Sequence, residues 1–223
     1  MAMQTLPVTA SPAEAIVFDF GGVLFNWQPP KLIQQVWPHH ARTDDEALAL
    51  AQEVFQSFVP GCDWSEFDRG VLSRDETLRR IAARTGLPLA DLDALVSAIP
   101  PHLAPVQPTV AWLERLAAAG VRLHFLSNMP RPYADFLEAQ HPFLRHFRSG
   151  VFSCDVHEVK PGEGIFRIAQ ERLDVNPART VFIDDHPRNV EMACALGWQA
   201  IQFVDAAQCE LALRQSGWLA PGL

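Results

Sequence analysis

Apolar positions along this chain follow two rhythms, short unbroken runs that suit buried strands and 3.6-residue stripes that suit amphipathic helices. The first run, Ile16-Val17-Phe18, stops at Asp19 and is followed by Gly21-Gly22. Such a run predicts a fully buried strand, and the glycine pair predicts an abrupt turn that brings backbone close to a ligand. Between about 29 and 101 the strand pattern vanishes, and prolines and capping residues punctuate helical stripes at 31–37, 44–58, 64–69, 73–85 and 89–98. Thr43 with Glu46, and Ser73 with Glu76, have the spacing of capping boxes. An all-helical block of this length wedged between two strands reads as an inserted domain.

Alternation of strand and helix resumes near residue 107. Helix 109–118 leads to strand 121–128, which ends on Ser127-Asn128, and helix 133–138, strand 150–153 and helix 163–173 follow. Strand 180–183 stops at Asp184-Asp185, and helix 189–196 with Gly197 as C-cap, strand 199–203 and helix 206–214 complete the pattern. This grammar predicts an α/β fold with a doubly wound, mostly parallel sheet. No internal repeat or low-complexity tract interrupts it.

Composition acts mainly by exclusion. A length of 223 residues with 48% hydrophobic content suits one large domain, or a core carrying a smaller insertion. No apolar run approaches the roughly 18 residues of a membrane span, and residues 1–12 lack the basic start and apolar block of a signal peptide. A short disordered leader, no membrane association and a cytoplasmic location are therefore expected. Cys62, Cys154, Cys194 and Cys209 form no CxxC pair and no ligand-like spacing with the histidines, so reduced structural thiols are expected. A net charge of -8 repels polyanions and argues against a nucleic-acid partner.

Three strands thus end in polar groups, Asp19, Ser127-Asn128 and Asp184-Asp185, and Lys160 joins them from the stretch HEVKPGEGIF. Parallel sheets bind ligands outside the carboxyl ends of their strands. Asp19 alone reads equally as the cap of a βα turn, but the set of four suggests chemistry. Three clustered carboxylates repel one another, and Mg²⁺, a hard cation with a preference for oxygen, is their natural neutraliser. In such a setting Asp19 can attack phosphorus and form an aspartyl-phosphate that water hydrolyses. Phosphoryl transfer depends on positioning and charge neutralisation. The Ser127 hydroxyl and nearby amides can bind a phosphate oxygen, and Lys160 adds a point charge.

FDFGGVL, LSN, KPGEGIF and FIDDHPRNVEMACALGW resemble, in this order and over most of the chain, the four motifs of the haloacid dehalogenase superfamily of hydrolases. The helical block resembles that superfamily's cap domain, and FDRGVLSRDE is similar to a cap segment of its sugar-phosphatase-like branch, related to the epoxide hydrolase N-terminal phosphatase. The resemblance implies a Rossmann-like core at 1–27 and 102–223 and a helical cap at 28–101. It implies a Mg²⁺-dependent phosphatase acting on a small phosphorylated metabolite, such as a sugar phosphate, as a monomer or homodimer. Asp19 would be the nucleophile and a metal ligand, together with the Gly21 carbonyl, Asp184 and Asp185. Lys160 would be catalytic, while Ser127, Asn128 and Gly22 would bind phosphate. Asp68 and Arg69 would reach over the site from the cap, with Arg69 the substrate-binding candidate. His186 and Arg188 are weaker candidates for phosphate contact.

The departure is Gly21, where the superfamily's phosphatases place a second Asp as general acid/base. Such assistance contributes about 10²–10⁴ in rate, so a good leaving group, a cap residue or water would have to compensate. Two other readings use the same residues. A metal-free 2-haloacid dehalogenase would direct Asp19 at carbon, against which stands the acidic pair at 184–185. A weakly catalytic relative would bind a phosphometabolite or a protein partner, with Gly21 its only support.

Overall fold

The computed structural model describes residues 6–7, 12–56, 59 and 61–220. In chain order the elements are β1 (Ala15–Phe18), α1 (Pro29–Val36), α2 (Asp44–Phe55), α3 (Asp63–Asp68), α4 (Arg74–Thr85), α5 (Leu89–Ser97), α6 (Ile99–His102), α7 (Gln107–Ala118), β2 (Leu123–Ser127) and α8 (Arg131–Gln140). Next come β3 (Ser149–Phe152), α9 (Glu163–Leu173), β4 (Thr180–Asp184), α10 (Pro187–Ala195), β5 (Gln199–Gln202) and α11 (Ala206–Gln215). The strands form one sheet in the order β3-β2-β1-β4-β5, and every pairing is parallel. The chain builds outward from β1 on one side and then crosses to its other side. The crevice beyond the carboxyl end of β1 is therefore the topological switch point where such sheets bind ligands.

Residues of β1 alternate between two apolar layers. Ile16 and Phe18 pack with Trp112 and Leu113 of α7 and Leu213 of α11, whereas Ala15 and Val17 pack with Ile165 and Phe166 of α9 and Val190 of α10. Burial on both faces explains the unbroken apolar run of this strand. The first layer continues through Phe20, Leu24 and Phe25 into the helical block, reaching Leu32, Phe55, Trp64 and Leu95. Helices α1–α5 are thus joined to the sheet by one continuous apolar cluster.

Several local expectations change. The helix expected over 44–58 ends at Phe55, because Gln56 adopts a left-handed conformation with φ 45; residues 57 and 58 lie outside the described residues. The Thr43–Glu46 capping box is complete. At α4 only half of it forms: Ser73 accepts from the Glu76 amide, while the Glu76 carboxylate turns to Arg79 and Arg80 instead. The expected helix end at Gly197 is a Schellman motif, with Gly197 at φ +84 and the Trp198 amide donating to Ala193. Of the supposed disordered leader, residues 1–5 and 8–11 lie outside the described residues, but Leu6 is buried. The Leu6 and Pro7 carbonyls accept from Ser216 Oγ and Trp218 Nε1, which ties this segment to the end of α11. Helix α6 and a longer α8 were not evident in the sequence pattern. Among the described residues none of the four cysteines forms a disulfide. Among the described residues no helix is long and apolar enough to cross a membrane.

Candidate active site

Asp19 is the first residue beyond β1, at the switch point, and its amide donates to Ile183 O of the neighbouring β4 at 2.9 Å. Its Oδ1 accepts from the Phe20 amide at 2.7 Å and from Lys160 Nζ at 2.8 Å. Lys160 Nζ also donates to Asp184 Oδ2 at 2.7 Å, so one buried ammonium bridges the ends of β1 and β4. The lysine backbone is clamped by Asn128: the Lys160 amide donates to Asn128 Oδ1 at 2.8 Å, and Asn128 Nδ2 donates to Lys160 O at 3.0 Å. Asp184 is fully buried and has further donors, the His186 amide at 2.8 Å and Asn189 Nδ2 at 3.0 Å from both carboxylate oxygens.

Asp185 completes an acidic cluster in which one oxygen each of Asp19, Asp184 and Asp185 lies within 4.8 Å of the others. One ammonium faces three carboxylates, and the imbalance is visible at Asp19 and Asp185. Burial, reinforced by the charges of Asp184 and Asp185 and opposed by Lys160, pushes Asp19 up to about 7. Burial and the neighbouring Asp184 push Asp185 up to about 6. Burial disfavours the charge on Lys160, but the two carboxylates beside it outweigh that and hold its pKa above the ordinary lysine value. An all-oxygen donor set with excess negative charge fits Mg²⁺.

Above these groups lies a cavity of about 200 Å³ whose floor includes Asp19, Gly21, Asn128, Lys160 and Asp185. Its walls are largely apolar, with Trp27, Phe55, Trp64, Ile99, Met129 and Tyr133 as the main contributors. Edge-to-face contacts hold the wall together, Trp27–Phe55 at 5.4 Å and Phe55–Trp64 at 4.7 Å between ring centroids. Helices α2 and α3 deliver Phe55 and Trp64, so the helical block roofs the end of the sheet.

A family model for haloacid dehalogenase-like hydrolases matches residues 13–197. The chain belongs to this family. It is 26% identical over 203 residues to a sesquiterpene phosphatase of Aspergillus oryzae, covering 91% of this chain and 95% of that protein. A haloacid dehalogenase family enzyme of Bacteroides thetaiotaomicron, solved in complex with magnesium and inorganic phosphate, shares the fold at TM-score 0.65 and 20% identity, covering 84% of this chain and 92% of its own. An L-2-haloacid dehalogenase of Xanthobacter autotrophicus, with chloropropionic acid covalently bound, aligns at TM-score 0.63 and 19% identity over 94% of this chain and 85% of its own.

Not every residue expected at this hydrolase's site faces the cavity. Arg69 does not line it: its guanidinium is engaged by Glu66 Oε1 at 2.9 Å and by His157 O at 2.9 Å. Its neighbour Asp68 lines the cavity instead. The Gly22 amide donates to Phe25 O at 2.8 Å and is unavailable to phosphate. Gly22 serves close approach: at φ +73, an added Cβ would stand 2.4 Å from Asp185 Oδ2. Both ends of the Asn128 amide are occupied by Lys160 backbone, so Asn128 positions the lysine loop. Ser127 is not among the residues that line the cavity, and its buried Oγ has no hydrogen-bond partner among the described residues. Gly21 and His186 line the cavity, whereas Arg188 does not.

Asn189 was missed by sequence reasoning, although a polar residue in the first turn after the acidic pair is a usable signal. Trp27 and Trp64, which carry no signal in the sequence pattern beyond their size and apolarity, also wall the cavity.

The raised carboxylates make a prediction about stability. Unfolded, these groups titrate near the ordinary aspartate value of 3.8, whereas burial and neighbouring charge raise folded Asp19 to about 7 and folded Asp185 to about 6. Between those limits the folded state binds more protons than the unfolded chain. Their contribution is fully present below the unfolded pKa and is lost as pH rises through the folded values. In a chelator the melting temperature should fall between about pH 5 and about pH 8, and saturating Mg²⁺ should raise it more at the higher pH. An equal Mg²⁺ shift at both pH values would show that these carboxylates do not hold the cation.

Proposed function

We propose that this hydrolase is a Mg²⁺-dependent phosphatase acting on phosphomonoesters of compact apolar alcohols. The observation that carries the reading is the direct juxtaposition of a carboxylate–lysine floor with an aromatic-walled cavity of about 200 Å³. The floor suits a phosphoryl group, and the walls suit the group that leaves. Ligand pockets commonly span about 300–1,000 Å³, so the alcohol is small or enters only in part. A sugar, the leaving group suggested by the sequence resemblance, would find few hydrogen-bonding partners on such walls. The similarity to a sesquiterpene phosphatase points in the same apolar direction.

Asp19 Oδ1 is fixed by Lys160 and the Phe20 amide, which leaves Oδ2 without a hydrogen bond among the described residues and makes it the attacking oxygen. Attack forms the Oδ2–P bond and breaks the bond from phosphorus to the alcohol oxygen; water then releases phosphate and restores the carboxylate. Lys160 fixes the nucleophile and balances phosphoryl charge, and the unpartnered Ser127 hydroxyl would donate to a phosphate oxygen. Asp19, Asp184, Asp185 and the Gly21 carbonyl would hold Mg²⁺. When bound, the cation supplies charge neutralisation to the carboxylates and the phosphoryl group.

The test is phosphate release from short branched alkyl monophosphates and from sugar phosphates, with Mg²⁺ and with EDTA. Burying two or three methylenes at about 0.8 kcal/mol each should give the alkyl substrates a kcat/KM about tenfold or more above the sugars. EDTA should silence both. A preference for sugar phosphates overturns the apolar reading, and chelator-insensitive release of halide from a 2-haloacid, without phosphate release, overturns the phosphatase.

A further inference from the structure

Expelling an alkyl alcohol from phosphorus creates an alkoxide unless a proton arrives as the bond breaks, so this chemistry calls for an acid beside the leaving oxygen. Gly21, on the cavity floor, has no side chain to give one. Most of the proton-bearing groups around the cavity are otherwise engaged. Lys160 is locked between Asp19 and Asp184. The Tyr133 hydroxyl donates to Val96 O at 3.2 Å, and burial pushes its pKa far up. The Cys62 thiol donates to Phe55 O, and burial raises its pKa as well. His186 caps α10, its Nδ1 accepting from the Arg188 amide at 3.3 Å.

Asp68 differs from all of these. It ends α3, lines the cavity from the helical block, and its carboxyl makes no hydrogen bond or ion pair with the described residues. Its backbone is nevertheless fixed. Buried Ser153 donates through Oγ to Asp68 O at 2.5 Å while accepting from the Met129 amide at 2.8 Å, which couples the end of α3 to the loop after β2. Two residues on, Gly70 sits at φ +70 where an added Cβ would come 2.9 Å from Cys154 O, so α3 and the turn after β3 are in close contact. A fixed main chain carrying an unengaged carboxyl into the cavity is the arrangement a proton donor needs.

We propose that Asp68 is the general acid of this site, delivering its carboxyl proton to the alcohol oxygen as that oxygen leaves phosphorus. The proposal rests on the phosphatase reading. In the first half-reaction the Asp19–phosphorus bond forms, the phosphorus–alcohol bond breaks, and the electron pair left on oxygen takes the Asp68 proton to give the free alcohol. In the second, the Asp68 carboxylate accepts a proton from the water that attacks phosphorus, which releases phosphate and Asp19. Burial pushes the Asp68 carboxyl up to about 8, with the charge of Asp19 adding and that of Lys160 opposing, so the acid is loaded at neutral pH.

The experiment compares Asp68→Asn with wild type on an alkyl monophosphate, whose leaving group needs a proton, and on p-nitrophenyl phosphate, whose leaving group does not. The expected loss in kcat/KM is about 10²–10⁴ on the alkyl substrate and about threefold or less on the nitrophenyl one, with Asp68→Glu partly restoring the alkyl rate. Equal losses on both substrates, or no loss on either, overturn the proposal. Wild type alone provides a second measurement that does not depend on a variant folding. Its kcat/KM should depend only weakly on alcohol pKa across a series of alkyl phosphates, and a steep dependence sinks the role of Asp68. If wild type releases no Mg²⁺-dependent phosphate from either substrate, the phosphatase reading fails first and takes the proposal with it. An active wild type with an unaffected Asp68→Asn sinks the acid alone.

Discussion

Asp19→Asn should abolish turnover while leaving the fold intact. The amide keeps the size of the carboxylate and an oxygen that can still accept from the Phe20 amide and Lys160 Nζ, the two donors now at 2.7 and 2.8 Å. What it removes is the nucleophile, and loss of a covalent nucleophile typically costs about 10⁴–10⁶ in kcat. The stability consequence runs the other way. Asp19 is a buried carboxylate whose pKa is raised to about 7 by burial and by Asp184 and Asp185, despite Lys160. Near neutral pH its charge destabilises the metal-free fold, so the neutral variant should melt at the same temperature or higher in EDTA. It should also gain less than wild type from Mg²⁺, having lost a ligand. Phosphate release and melting curves with and without Mg²⁺ check both halves. Hydrolysis retained in the variant would remove Asp19 from the mechanism, whatever the rest of the site does.

The parts of this site legible in the sequence are those carried by strand ends. A parallel strand buried on both faces is written as a continuous apolar run, so the residue that breaks it stands out. Asp19, Ser127 and Asp184 were found that way, and the structure gathers them at the carboxyl edge of adjacent strands β2, β1 and β4. The helical block was legible only as helices. Which side chains it turns toward the sheet depends on tertiary packing, and α3 shows this at single-residue scale. Asp68 and Arg69 are chain neighbours, yet the contact of α3 with the turn after β3 puts Asp68 in the cavity and ties Arg69 to His157 O. The aromatic walls escaped notice because Trp27, Phe55, Trp64 and Tyr133 lie far apart in sequence and meet only when the block folds over the sheet. The end of α2 was misplaced because Gln56, not a glycine, takes the left-handed turn.

Lys160→Met should both destabilise the fold and slow turnover, whereas Asp19→Asn stops turnover and leaves the fold intact. The side chain is 1% exposed and contacts carboxylates on two strands, with side-chain exposures of 11% at Asp19 and 0% at Asp184. Methionine fills a similar volume, so the change removes charge with little loss of packing. Breaking a buried ion pair by removing one partner typically costs about 3–5 kcal/mol, because the remaining charge is left uncompensated. Here the carboxylates can escape that penalty by taking up a proton, which makes the cost depend on pH. The folded variant binds more protons than folded wild type, so its stability should fall more steeply as pH rises. Urea unfolding should accordingly show a larger deficit at about pH 8 than at about pH 5, and Mg²⁺ should recover part of it at the higher pH. Turnover should drop by about 10²–10³, the usual consequence of removing one preorganised electrostatic contact to the reacting group. Asn128→Ala releases the backbone clamp without touching the ammonium, and it should reproduce part of the activity loss with little of the pH-dependent destabilisation. A deficit in Lys160→Met that stays constant from acid to alkaline pH would mean that the lysine acts through packing, and that the three carboxylates are balanced by something other than its charge.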